Sequence, residues 1–251
     1  MACRSSEEGC LDPNALNFQP SADKDCKCCN FSKAQLNTLH RGLDTSEIFE
    51  LESPFYDAQN TALEAKDIKL LISNLQIQDL SDNWHSIQDT INAKYYNGDF
   101  AFLPNSFGII TPNKTSIDMG KFVAEGNYKG FRFIVGLSGQ ATQIDSRTVR
   151  PTNHILGSAP IESTYDSLTQ SPQTYIMNII KGTDTFNIKS TIAHEITLYG
   201  HIETRPGSNI FLNTYILWAR LFDNIDWNND STIDIQRKID NNLPYIFQIQ
   251  E

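Results

Sequence analysis

The stretch GFRFIVGL, residues 130–137, sets Phe131, Phe133, Val135 and Leu137 at every second position against Arg132 and Ile134. A period of two places those four side chains on one face of an extended chain, a pattern that a helix scatters around its axis. Runs rich in β-branched residues recur at residues 67–79 (DIKLLISNLQIQD), 174–182 (TYIMNIIKG), 191–203 (TIAHEITLYGHIE) and 209–219 (NIFLNTYILWA), with a further strand expected in IFELES from Ile48. Turn signals stand between them at Asn97-Gly98, Gly126-Asn127 and Arg205-Pro206-Gly207. Strands joined by long polar connections predict an all-β chain, an antiparallel β-sandwich with long loops. Near the end, Ile233, Ile239 and Leu243 sit among charged residues as in a short amphipathic C-terminal helix. The sandwich is expected over 46–251, with 30–45 as a linker or a short helix from Lys33 to Leu43.

Cysteine placement divides the chain differently. All five cysteines, Cys3, Cys10, Cys26, Cys28 and Cys29, lie within the first 29 residues. Such clustering fits a small disulfide-bonded N-terminal segment outside the cytoplasm. A bond between the neighbours Cys28 and Cys29 is strained, so the expected pairs are Cys10 with Cys28 or Cys29, and Cys26 with the other. The rival reading of CKCC is a thiolate metal site. Cys3 follows a small residue and precedes SSEE. That resembles a processed lipobox followed by the surface-export signal of Bacteroidetes lipoproteins, which implies lipidation at Cys3 and membrane association by the anchor only. GCLDPNALNFQPSADKDCKCC, from Gly9 to Cys29, resembles a short module of Bacteroidetes secreted proteins. Residues 1–29 are thus expected to be anchor and module together.

A formal charge of -10 excludes nucleic acid as a partner class and disfavours anionic membrane surfaces. No apolar run is long enough to span a bilayer as a helix. No nucleophile elbow, P-loop or dinucleotide fingerprint is present, so the chain is not expected to be an enzyme.

Two of the five histidines fall in the strand-like TIAHEITLYGHIE. His194-Glu195 lacks a second histidine three residues on, so this is not a zincin helix. A separation of seven on a strand sends His194 and His201 to opposite faces, unless Gly200 admits a bulge. DWNNDSTID offers Asp226, Asn228, Asp230, Thr232 and Asp234 at alternate positions, like half of a calcium-binding EF-hand loop. Ser231 stands where the turn glycine belongs and Arg237 where the bidentate glutamate belongs. The plain alternative is a turn, with Asp230 or Ser231 near the N-cap of the last helix.

Taken in order, the segments of the main body resemble the methanobactin-associated copper protein family, MbnP. LLISNLQIQD matches through Ile72, Ser73, Asn74 and Leu75, and GNYKGFRFIVGL through Gly126, Tyr128, Phe131, Phe133, Val135 and Gly136. PTNHILG supplies His154, TYIMNIIKG a further strand, LYGHIE His201, and LFDNIDWNND the close. The resemblance implies an extracytoplasmic sandwich that binds copper, with His154 and His201 as ligands. It also implies a Trp-x-Trp pair, one tryptophan of which is oxidised to kynurenine by a di-haem peroxidase, at positions held here by Thr169 and Ser171. Neither is aromatic, which argues against that partner. Two readings follow: a copper-binding, lipid-anchored protein of the outer membrane at the cell surface of a Gram-negative bacterium, or an accessory lipoprotein without the metal that associates with a TonB-dependent transporter or other surface lipoproteins.

Overall fold

The computed structural model describes residues 6–13, 15–122, 126–137, 139–157, 164–166, 168, 171–204 and 208–250. Cys3, the expected lipidation site, lies outside them, as does Thr169. The chain is all-β with one short helix, built as two facing sheets. The strands of the main body are β1 (Lys33–Arg41), β2 (Ala62–Asp79), β3 (Ser116–Lys121), β4 (Tyr128–Val135), β5 (Tyr175–Lys181), β6 (Asp184–Ser190), β7 (His194–Ile202), β8 (Ile210–Leu217) and β9 (Phe247–Ile249). The helix α1 spans Thr232–Asn242.

The larger sheet runs β6-β5-β2-β4-β7, and the smaller runs β9-β8-β1-β3. Neighbours are antiparallel except β8 and β1, which pair in parallel from Ile210↔Ala34 to Leu217↔Arg41. The 18-residue β2 is the spine. Along one edge it pairs with β5 through Leu70 and then with β4 from Ile72, and on the opposite edge with a short strand at Gly108–Ile110. Its pairing with β4 shifts register between Ser73 and Gln76, where Asn74 takes φ 53°. Asparagine tolerates that left-handed geometry better than most residues, so the long strand bends there without breaking.

The core lies between the sheets, with Leu36, Ile68, Leu70, Ile72, Phe131, Phe133, Leu212 and Trp218 buried. Leu71 points the other way, as the period of two requires. On that outer face a second apolar cluster forms from the long connections after β2 and after β4, including Ile91, Ala101 and Phe107 from the first and Ile144 and Leu156 from the second. The continuous apolar run in DIKLLI is therefore explained: the strand is covered on both faces. This second layer holds the cleft described below.

Several expectations need correction. Residues 30–45 are not a linker or a helix. Lys33–Arg41 is an interior strand of the small sheet, burying Ala34, Leu36, Thr38 and His40 on one face. The sandwich therefore begins at Lys33 and not at 46. IFELES contributes only a bridge from Ile48 to Arg41, and the strand that follows is Pro54–Tyr56. In α1, Ile235 rather than Ile233 joins Ile239 and Leu243 in the core, and Ile233 is exposed.

The N-terminal module is closed by Cys10–Cys29 and Cys26–Cys28. It holds a two-residue parallel pairing of Glu8–Gly9 with Lys24–Asp25. Among the described contacts, it meets the sandwich where the Lys121 ammonium lies 3.2 Å over the Phe31 ring.

Candidate binding cleft

The sequence places the candidate metal chemistry on histidines. His154 Nε2 lies 2.8 Å from Asn105 Oδ1, and its Nδ1 accepts from the Leu156 N–H at 3.2 Å. Oδ1 only accepts, so Nε2 carries the proton and both ring nitrogens are engaged. Burial lowers its pKa, in keeping with a neutral ring. His201 is exposed on β7 and makes no hydrogen bond to the described residues. The two are not brought together. His154 packs against Phe107, beside the short strand at Gly108, and Ile72 pairs with Gly108 on one edge and Val135 on the other. From that short strand to β7 is three strand spacings, or about 14 Å. The expected copper pair therefore does not fit, and no group of three or more metal-ligating side chains exists among the described residues.

The opposite-face reading of β7 holds. His194 is turned inward, with Nε2 3.7 Å from Asp240 Oδ1 on α1, and the register shifts between Tyr199 and Ile202 around Gly200. Nearby Tyr175 has its pKa raised by burial and then by Asp240. His40 is a core residue: Nδ1 accepts from Trp218 Nε1 at 2.9 Å, and Nε2 lies 2.6 Å from the Lys114 carbonyl. His85 places Nε2 2.9 Å from Asp79 Oδ2, and that contact is the first cause of the lowered Asp79 pKa.

The expected calcium loop is a helix lead-in. Asp226 Oδ1 accepts from the Asn228 N–H, Asp230 Oδ2 from Lys238 Nζ at 2.5 Å, and Asn228 Oδ1 from Lys181 Nζ. Ser231 is the N-cap and accepts from the Asp234 N–H, while Asp234 pairs with Arg237. Thr232 opens the helix. Lysine and arginine occupy the oxygens that calcium needs.

What the sequence did not single out is YYNGDFAF, residues 95–102. Its hairpin turns at Asn97-Gly98, with Gly98 N–H donating to Tyr95 O at 2.9 Å and Tyr95 N–H to Asp99 O at 2.8 Å. Lower rungs join Ala101 to Ala93 and Ile91 to Leu103. Tyr96 N–H donates to Gln143 O, fastening the hairpin to the short 3-10 helix at Gly139–Gln143. Tyr95 packs on the second apolar cluster, but Tyr96, Phe100 and Phe102 are 56%, 61% and 83% exposed. Between hairpin and 3-10 helix lies an open cleft of about 710 Å³. Its walls carry these aromatics with Asn97, Asp99, Gln140 and Gln143, and no lysine or arginine. Four aromatics in eight residues around an Asn-Gly turn is the signal that sequence reading had available.

Fold and site together define a two-sheet β protein with an aromatic cleft on its outer layer. No protein-family model matches the chain, and no curated protein matches it. Among solved structures it is similar to MbnP from Methylosinus trichosporium, over 78% of each chain, at 10% identity and a TM-score of 0.45.

Proposed function

We propose that this chain is a non-enzymatic recognition protein working outside the cytoplasm, and that its functional surface is the aromatic cleft. Two disulfides support the compartment. One observation carries the reading: three large aromatics are held in solvent on a hairpin that is itself tightly hydrogen-bonded. Burying a phenylalanine stabilises a fold by roughly 1.5–3 kcal/mol, and Phe102 at 83% exposed gains little of that. Exposed aromatics on a rigid support are instead what a ligand site requires. The test is the triple variant Tyr96→Ser, Phe100→Ser, Phe102→Ser. Its urea midpoint is expected to match the parent, and a loss of more than about 2 kcal/mol would show the aromatics to be structural. In this reading the protein is an accessory one, and the partner that the sequence resemblance suggests is an outer-membrane transporter.

A second reading, copper binding, attaches to His85, with His201, three strands away on β7, as a separate candidate. Asp79 holds the His85 Nε2 proton, and among the described residues Nδ1 has no hydrogen-bond partner, an arrangement carboxylates give ligating imidazoles. Copper(II) titration of the parent, His85→Ala and His201→Ala tests it: a loss of binding in either variant supports it, and equal curves remove it.

A further inference from the structure

We infer that the cleft binds a neutral oligosaccharide, an inference that rests on the recognition reading above. Aromatic faces favour flat apolar surfaces, and Phe102 and Tyr96 present theirs to solvent. Phe100 has Lys94 Nζ 5.0 Å from its ring centre on one side, which leaves the other side for a ligand. A purely apolar ligand would make no use of the remaining lining. Asn97 Nδ2 donates to Asp99 Oδ2 at 2.8 Å, and Asp99 N–H donates back to Asn97 Oδ1 at 3.0 Å. This reciprocal pair fixes the Asp99 carboxylate, and among the described residues no donor reaches its Oδ1. Tyr95 Oη reaches Gln140 Oε1 at 3.5 Å, and the Gln140 amide nitrogen is left to donate. The cleft therefore offers fixed donors and acceptors beside stacking faces.

Charge decides among the ligands that combine those features. Asp99 is the one charged residue of the cleft lining, the Lys94 ammonium sits behind Phe100, and the chain carries -10 overall. Phosphates, sulfates and carboxylates find no cationic partner in that lining. A sugar ring has an apolar C–H face for the aromatics and a rim of hydroxyls, each both donor and acceptor, for the amides and the carboxylate. About 710 Å³ lies within the range of small-ligand sites, and a cleft open to solvent admits a chain rather than enclosing a single ring.

Isothermal titration of the full chain with cellohexaose, maltohexaose, xylohexaose and mannohexaose tests the inference. At least one is expected to bind at millimolar affinity or tighter. Phe102→Ala and Tyr96→Ala should each weaken that binding about tenfold, and Asp99→Asn, which keeps the shape, should weaken it less. Absence of binding by all four probes overturns the inference, as does binding that neither aromatic variant weakens. Insertion of the hairpin into neutral phosphatidylcholine vesicles, with no sugar bound, also overturns it in favour of a lipid surface. If the sugars fail while the triple serine variant keeps its stability, the saccharide assignment falls and the recognition reading stands. If that variant unfolds, the recognition reading falls as well.

Discussion

Trp218→Phe should destabilise the sandwich by about 2–4 kcal/mol, chiefly through His40. Trp218 is fully buried, and its Nε1–H reaches His40 Nδ1 at 2.9 Å with the rings stacked 5.7 Å apart. Removing the donor leaves a buried nitrogen unsatisfied, at about 1–3 kcal/mol. The smaller ring leaves on the order of 40 Å³ unfilled, which at about 24 cal/mol per Å³ adds roughly 1 kcal/mol. Urea unfolding followed by circular dichroism reads the sum. A cycle with His40→Leu should return a coupling of about 1–2 kcal/mol. The same bond predicts acid sensitivity. Burial lowers the His40 pKa, against a raising bond to the Lys114 carbonyl, and Arg41 lowers it further. The native state therefore binds fewer protons than the unfolded chain below the ordinary value of 6.5. Stability is full above 6.5 and is lost as pH falls toward the depressed native pKa, with a slope of at most about 1.4 kcal/mol per pH unit from this group. His154, also depressed by burial, acts with the same sign. A Trp218→Phe cost below about 1 kcal/mol, or zero coupling to His40, would refute the hydrogen-bond account.

Reducing both disulfides should leave the main unfolding transition of the sandwich nearly unchanged, since Cys10–Cys29 and Cys26–Cys28 close only the N-terminal module; a large fall in Tm would show that the module supports the core. Leu36→Ala should cost about 2–5 kcal/mol, because Leu36 is fully buried on an interior strand, and a neutral result would return this segment to linker status. Ser231→Ala should cost about 1 kcal/mol in thermal melts through the lost N-cap, and millimolar calcium should not move the parent Tm. A calcium-dependent rise would restore the loop as an ion site.

The strands with clear period-two patterns, such as GFRFIVGL and TIAHEITLYGHIE, were legible because alternation is a local property of the chain. Lys33–Arg41 was not. Its inward face includes Thr38 and His40, polar residues whose burial depends on partners 76 and 178 positions away, Lys114 and Trp218. Leu36, Leu39 and Leu43 meanwhile fit a helical spacing. His154 misled for the same reason, since Asn105, which satisfies it, is 49 residues distant. The Ser231 cap was readable, because its partner Asp234 is three residues along. The aromatics of YYNGDFAF were visible in composition. Their exposure follows from how the second layer covers Leu71 and stops short of the hairpin tip, which no local pattern encodes.

Residue-resolved NMR of the labelled protein tests the central claim most directly, with backbone amide signals followed as cellohexaose, maltohexaose, xylohexaose or mannohexaose is added and, in a parallel sample, one equivalent of copper(II). The account predicts saccharide-induced shifts confined to residues 94–102 and 139–143, with no stoichiometric copper broadening that links His154 to His201. Copper bleaching both histidine segments at one equivalent, with the hairpin unmoved by every sugar, would contradict it.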